Sequence, residues 1–292
     1  MILVIGDINL DIIVNLREDI NFDTDSNSEI NFKGGGSAAN FSFWLDYLNT
    51  PVRFISKTGD DFISNFLKNE FKDTNIDYIN LKSTKESGRI VILLDKNGAR
   101  TMITDRKANL DFSQDDIRDR FFNGINHLHI GAYSFFGGQN MVNTALKIID
   151  EAKKRNITIS FDPSSYSMIK KYGVNKILKQ TKGIDFCFPN LEEAQVLTKK
   201  DNPEDMIKVL LKYYNNVILK YGKEGCFVGN SENIEFIQQK EMIEGGDTTG
   251  AGDAFTAAFI SNYLYNNSLK KAAVSANKIA AKCVKKTGGR PV

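Results

Sequence analysis

Gly245-Gly246-Asp247-Thr248-Thr249-Gly250-Ala251-Gly252-Asp253-Ala254-Phe255 decides how this chain is read. Four glycines, two threonines and two aspartates fall in eleven residues, directly before the apolar run from Phe255 to Leu264. Glycine lets the backbone approach a ligand closely, and Gly, Thr and Asp favour helix starts. Phe255, Ala258, Phe259 and Leu264 are largely compatible with one face at a helical period. The stretch therefore predicts a glycine-rich turn with free backbone N–H groups at a helix N-terminus, a ready anion site. Asp253 stands beside it, where its carboxylate can meet a hydroxyl. A plainer reading also accommodates Asp253, since a first-turn aspartate commonly stabilises a helix by about 0.3–1 kcal/mol. The rest of the chain must decide.

The 292 residues are enough for a large core and lie near the size at which single cores divide. With 41% hydrophobic and 25% charged residues, the composition is that of a soluble globular protein. Lys plus Arg number 38 against 36 Asp plus Glu, so no strong attraction to nucleic acid is expected. Cys187, Cys226 and Cys283 are far apart and lack metal-ligand spacing, which suits buried thiols in a reducing compartment. His127 and His129 are the only histidines, which argues against a His-based zinc site or a serine triad. Met1–Ile5 is too short for a signal peptide, and no apolar run approaches the roughly 20 residues that span a bilayer. A cytoplasmic protein is the expectation.

Ile2–Ile5 reads as a buried parallel strand, with Asp7, Asn9 and Asp11 at its carboxyl end. Those three also suit turns and caps. Residues 17–31 are polar and read as a loop or a short strand on an exposed flap. Gly34-Gly35-Gly36-Ser37-Ala38-Ala39-Asn40 forms a second glycine-rich site before a helix from Ala38 to Leu48. It is not a Walker A loop, and the chain lacks a Gly-x-Gly-x-x-Gly fingerprint, which counts against a dinucleotide oxidoreductase. Val52–Ser56 is a strand, with a helix through Phe66 and Leu67 after it. Arg89–Leu94 and Arg100–Thr104 flank an Asn97-Gly98 turn signal and predict a hairpin. Its basic residues, Arg89 among them, suit either an anionic ligand or solvent.

From His127 strands and helices alternate regularly, with strands at 127–130, 157–161, 184–188 and 217–220 and helices at 141–155, 191–197, 254–264 and 269–283. Cys226–Val228 and Glu235–Ile237 read as antiparallel returns. This rhythm argues a doubly wound α/β layer with right-handed connections. One domain, residues 1–292, is expected, with a small β lid from about 12–33 and 86–106.

Gly35-Gly36-Ser37-Ala38-Ala39-Asn40 and Asp247–Phe255, with the lid between them, resemble the two signatures of the ribokinase-like, PfkB-type carbohydrate kinase family. Supporting matches are Gly6-x-x-Asn9-x-Asp11, Asn190-Leu191-Glu192-Glu193 and Lys220-Tyr221-Gly222-Lys223-Glu224-Gly225. The five segments run in family order from residue 6 into the 280s, so the resemblance covers the whole chain. It implies a three-layer α/β/α fold and transfer of the ATP γ-phosphoryl group to a hydroxymethyl oxygen. Asp253 would be the base, and the N–H groups of Gly250, Ala251, Gly252 and Asp253 the anion hole, where preorganised donors meet charge in the transition state. The helix end is expected to depress the pKa of Asp253, which is tolerable if positioning matters more than basicity.

The resemblance further implies Mg²⁺ near Asn190 and Glu193, partly through water. Pro-Asn before Leu-Glu-Glu is equally a good capped helix start. Lys220, Gly222, Gly225 and Asn277 would face the nucleotide. Asn9, Asp11, Gly35, Gly36, Asn40, Arg89 and Tyr133 would face the acceptor, Asp and Asn reading its hydroxyls. Asp247, Thr249, Val284, Thr287 and Gly289 loosely resemble a loop that holds a monovalent cation, K⁺, in some relatives. Ser37 stands where ribokinases commonly carry Lys, and Ile130–Ser134 lacks their acidic residue, so ribose is disfavoured. Arginines such as Arg89 and Arg106 suit acidic groups. The acceptors implied are a 2-keto-3-deoxy sugar acid, then a hexose, then a nucleoside. The alternative is a non-catalytic sugar or nucleotide sensor on the same fold. No nucleic-acid or membrane partner is expected, and the lid's open edge predicts a homodimer.

Overall fold

The computed structural model describes residues 1–95, 100–241, 245, 247–286 and 288–291; the Asn97-Gly98 turn, Gly246 and Thr287 lie outside the described residues. The chain opens with β1 (Ile2–Ile5), buried throughout. β2 (Asn9–Leu16) and β3 (Ser28–Gly35) then pair antiparallel from Asn9↔Gly35 to Leu16↔Ser28. The polar stretch expected as loop or short strand is thus partly one arm of a long hairpin. β3 is exposed along most of its length, so it carries no burial pattern to betray it. α1 (Ser37–Tyr47), β4 (Val52–Thr58), α2 (Phe62–Asn69) and β5 (Asp77–Lys82) follow, β5 being unforeseen. β6 (Gly88–Leu94) and β7 (Arg100–Asp105) pair antiparallel as the second lid hairpin.

The regular part comprises β8 (His127–Gly131), α3 (Gln139–Lys154), β9 (Thr158–Asp162), α4 (Tyr166–Tyr172), α5 (Val174–Gln180) and β10 (Ile184–Cys187). It continues with α6 (Leu191–Thr198), α7 (Pro203–Leu210), β11 (Tyr214–Lys220), β12 (Gly225–Gly229) and β13 (Ile234–Gln238). α8 (Ala251–Asn266) and α9 (Leu269–Val284) close it. α4, α5 and α7 were not anticipated, although Asn202 before Pro203 is a helix-start signal and its side chain caps α7.

Among the described residues the main sheet runs β13-β12-β11-β10-β9-β8-β1-β4-β5, and a separate lid sheet runs β3-β2-β6-β7. Its pairings are parallel except β11 with β12 and β12 with β13, so β12 alone runs against the other strands of that sheet. From β1 the chain builds outward to β4 and β5, then comes back to lay β8 on the other side of β1. Strand order reverses there, and a crevice opens at the carboxyl ends of such strands.

Alternation along each strand sorts the core into two layers. Ile2 and Val4 join Phe41, Trp44, Phe54 and Phe259 beneath α1, α2, α8 and α9. Leu3 and Ile5 join Leu128, Ile149, Phe161 and Leu197 beneath α3 to α7. Each such side chain contributes about 1.5–3 kcal/mol by leaving water, so both layers are firm supports for the strand ends. His127 and His129 belong to this core. Their rings bond Thr158 and Ser160, and His129 stacks on Phe41 at 3.9 Å between centroids.

Candidate active site

Two helices begin at the crevice, each after a glycine that only glycine can replace. Gly36 precedes α1 with φ 96°, and a Cβ there would lie 2.5 Å from the Asp7 carbonyl oxygen. Gly250 precedes α8 with φ 72°, and a Cβ there would lie 2.4 Å from the Gly289 Cα. No side chain caps either helix. α8 starts at Ala251, earlier than the sequence pattern suggested, so Asp253 lies in its first turn.

Asp253 is held by α1. Ser37 Oγ donates to its Oδ1 at 2.7 Å and Asn40 Nδ2 to its Oδ2 at 3.2 Å. The expected depression of its pKa is reversed: burial pushes it up to about 6, Asp162 adds to the rise, and Ser37, Asn40 and Lys220 oppose it. Desolvation penalises the charged form more than the donors favour it. A carboxyl near 6 is a better proton acceptor than one depressed by the helix end.

On one side of Asp253 lies a cleft of about 290 Å³. Asn9, Asp11, Gly36, Asn40 and Tyr133 line it, with Asp253 and Gly252. Asn9 Oδ1 accepts from Asn109 Nδ2 at 2.8 Å. Asp11 is pushed up to about 7 by burial, partly countered by Arg290, and its Oδ1 is buried with no partner among the described residues. Gly35 stands just behind, its carbonyl held by Arg290 Nη2 at 3.0 Å. Arg89 is not brought to the cleft. It pairs with Glu86 and Asp105 on the lid's other face, because neighbouring strand residues point oppositely and Ile90 takes the cleft side.

On the other side lies a wider cleft of about 780 Å³, lined by Gly222, Gly225, Asn277 and Val284, with apolar wall from Phe255 and Ala280. Asn277 Nδ2 donates to the Ile237 carbonyl at 3.0 Å. Ala251 lines this cleft, and Asn190, Lys220 and Gly252 line both, so the tip of α8 stands where the two meet.

Lys220 ends β11 and donates to Asp162 Oδ2 at 2.7 Å. Burial works against its charge, yet Asp162, Glu193 and Asp253 outweigh it and hold the ammonium above its ordinary range. Asn190 and Glu193 form the reciprocal cap of α6: the Glu193 N–H donates to Asn190 Oδ1 at 2.8 Å, and the Asn190 N–H to Glu193 Oε2 at 2.9 Å. Burial pushes Glu193 up to about 7, with Lys220 opposing. Among the described residues no group of three His, Cys, Asp or Glu side chains is arranged to hold a metal. A buried carboxylate lacking full compensation still fits a divalent ion that brings its own phosphate and water ligands.

The loop likened to a monovalent-cation site is otherwise engaged. Asp247 Oδ1 accepts from the Thr249 N–H at 2.9 Å and hydroxyl at 2.5 Å, and Oδ2 from the Gly288 N–H at 2.8 Å. The Val284 carbonyl accepts from the Asp247 N–H at 3.1 Å. Arg100, reaching down from β7, pairs with Asp247 and also bonds Thr248 and Thr249. A guanidinium already supplies the positive charge, so the arrangement does not fit an added K⁺. Gly289 serves otherwise, its carbonyl accepting from Trp44 Nε1 at 2.9 Å.

Several contacts within the site escaped the sequence reading. Ser37 was weighed only as a replacement for Lys, though its place in the glycine signature was the available signal. Asp7 and Arg106 form a forked ion pair, Nε to Oδ2 at 2.8 Å and Nη2 to Oδ1 at 2.9 Å, across 99 positions. Arg290 donates to Asn40 Oδ1 at 3.2 Å and pairs with Glu70. No local pattern announces pairs so far apart.

Two clefts meet at the tip of α8, and the smaller of them holds the Asp253 carboxylate. The chain belongs to the pfkB family of carbohydrate kinases, whose pattern it matches over residues 1–292. It is 27% identical over 249 residues to an uncharacterized sugar kinase of Archaeoglobus fulgidus, covering 84% of this chain and 96% of that one. It is 28% identical over 256 residues to an ATP-dependent 6-phosphofructokinase of Thermoanaerobacterium thermosaccharolyticum, covering 84% and 78%. The crystal structure of adenosine kinase from Sinorhizobium meliloti superposes with a TM-score of 0.88 at 19% identity, covering 100% of this chain and 95% of that one. The three-layer ribokinase-like fold with its β lid is thereby established.

Proposed function

We propose that the protein transfers the γ-phosphoryl group of ATP to a hydroxymethyl oxygen of a sugar or nucleoside, with Asp253 as the base. The observation that carries this reading is the place of Asp253, fixed by Ser37 and Asn40 in the smaller cleft, one residue on from Gly252, which lines both clefts. The acceptor hydroxyl gives its proton to Asp253 while its oxygen bonds to phosphorus and the bond from phosphorus to the bridging oxygen of ADP breaks. The N–H groups at the tip of α8 face the charge on the transferring group and cost no reorganisation. Lys220, shared by both clefts, is placed to follow the phosphates. Glu193 and Asn190 would hold Mg²⁺ through water, where it would neutralise phosphate charge.

The lid's outer face supports a homodimer. Ile30, Phe32 and Ile103 are 57%, 58% and 59% exposed and lie across the lid strands on the face turned from the cleft. A second copy of the same sheet would cover it.

The decisive experiment is Asp253→Asn, which keeps size and most hydrogen bonding. The expected outcome is a folded, ATP-binding protein whose transfer falls about 10²–10⁴-fold. Wild-type turnover in that variant would remove Asp253 from the chemistry.

A further inference from the structure

Resting on that kinase reading, we infer that the acceptor is an uncharged polyol with an apolar flank, and not a sugar acid or sugar phosphate. The chemistry lining the smaller cleft carries the inference. Two cations reach it among the described residues, Arg106 and Lys220, against the carboxylates of Asp7, Asp11, Asp162, Glu193 and Asp253.

Neither cation is available to an anionic group on the acceptor. Arg106 spends its fork on Asp7, with further bonds from Nη1 to the Phe136 carbonyl at 3.0 Å and from Nη2 to the Tyr133 carbonyl at 2.9 Å. Lys220 is bound to Asp162 and stands at the nucleotide end. Arg290 lies behind Asp11 but is committed to Glu70, Gly35 and Asn40. An arginine that recognises a carboxylate or phosphate offers its forked donors outward, and among the described residues no such fork faces this cleft.

What the cleft does offer is acceptors. Asp11 presents a buried Oδ1 with no donor among the described residues, and a buried polar atom left unpaired costs about 1–3 kcal/mol. A ligand hydroxyl supplies that donor; a carboxylate or phosphate brings another negative charge beside it. The pocket already raises the pKa of Asp11 and Asp253, the mark of a place that resists added negative charge. Across from these groups the lid presents Ile90, Ile92 and Met102. One wall thus reads hydroxyls and the other covers carbon. At about 290 Å³ the space is at the low end of ligand pockets, which suits one sugar unit.

The test uses matched pairs on the full-length protein: an aldose with its uronic acid, a ketose with its phosphate, a nucleoside with its 5′-monophosphate. Binding is measured by calorimetry with a non-hydrolysable ATP analogue and Mg²⁺, and turnover by ADP release with ATP. The expected result is a neutral member bound at least ten-fold tighter than its anionic counterpart, and phosphorylated. An anionic member bound tighter overturns the inference while its phosphorylation leaves the kinase reading standing. Neutral binding without transfer upholds the inference and removes the kinase reading. Equal or absent binding across every pair removes the inference.

Discussion

Asn40 and Asp253 stand 213 positions apart in the chain, yet Nδ2 of one donates to Oδ2 of the other at 3.2 Å. The amide cannot turn over, because its Oδ1 accepts from Arg290. Ser37 takes the second carboxylate oxygen. Position and protonation of Asp253 are therefore set from outside its own helix.

The first prediction concerns pH. Asp253 works as the ionised base, and its pKa of about 6 places the acid limb of kcat/KM there. Ser37 favours the charged form, so Ser37→Ala raises the pKa and moves the limb toward neutrality by about one unit, a hydrogen bond to a charged group contributing about 1.5–3 kcal/mol. A pH–rate profile of both proteins measures it. A limb that stays in place, or moves down, contradicts the arrangement.

Asp11 carries a stability cost. Its folded pKa of about 7 lies above the ordinary carboxylate value, so the native state binds the proton more readily than the unfolded chain. The penalty is full above pH 7 and fades as pH falls toward 4. Asp11→Asn is thus expected to stabilise the protein at pH 8, on the order of a few kcal/mol, and much less at pH 4.5. Urea unfolding at the two values, with acceptor binding weakened in parallel, provides the check.

The lid clasp makes a prediction about salt. Arg100 supplies positive charge to Asp247 and the two threonines, so exchanging K⁺ for Na⁺ at constant ionic strength leaves kcat unchanged. Arg100→Gln lowers kcat about tenfold, equivalent to roughly 1.4 kcal/mol of transition-state stabilisation. Activation of the wild type by K⁺ alone would show that the guanidinium does not fill the cation's place.

Phe32 and Ile103 test the assembly. Phe32→Glu combined with Ile103→Glu puts charge on the lid's outer face without entering the cleft, and light scattering is expected to show a dimer's mass falling to a monomer's. A wild type that is monomeric throughout removes the lid pairing.

Much of this was legible in the sequence, and the illegible part has a physical cause. β1 and the Val217–Leu219 part of β11 are short apolar runs buried on both faces, and the two glycine loops follow from the backbone's need to approach anions. β3 was obscure because its exposed residues leave no periodic contrast, and α7 because its Asn-Pro start was passed over. Within the site, Asn190 and Glu193 were readable as a cap from their spacing. Ser37 on Asp253, Arg106 on Asp7 and Arg290 on Asn40 were not, because each contact joins distant segments that only the folded sheet brings together. The sign of the Asp253 shift failed likewise: a helix end is visible locally, whereas burial is a property of the whole.

The clasp of Trp44 on Gly289, together with Asn40 on Asp253, has a consequence for how the molecule is made. Contacts of such sequence separation return nothing until very long loops have closed, and chains dominated by them fold slowly. The strands can be laid and much of the helical layer docked before residues near 40 meet those near 250 and 290. Regained activity is therefore expected to trail regained secondary structure when the protein is refolded.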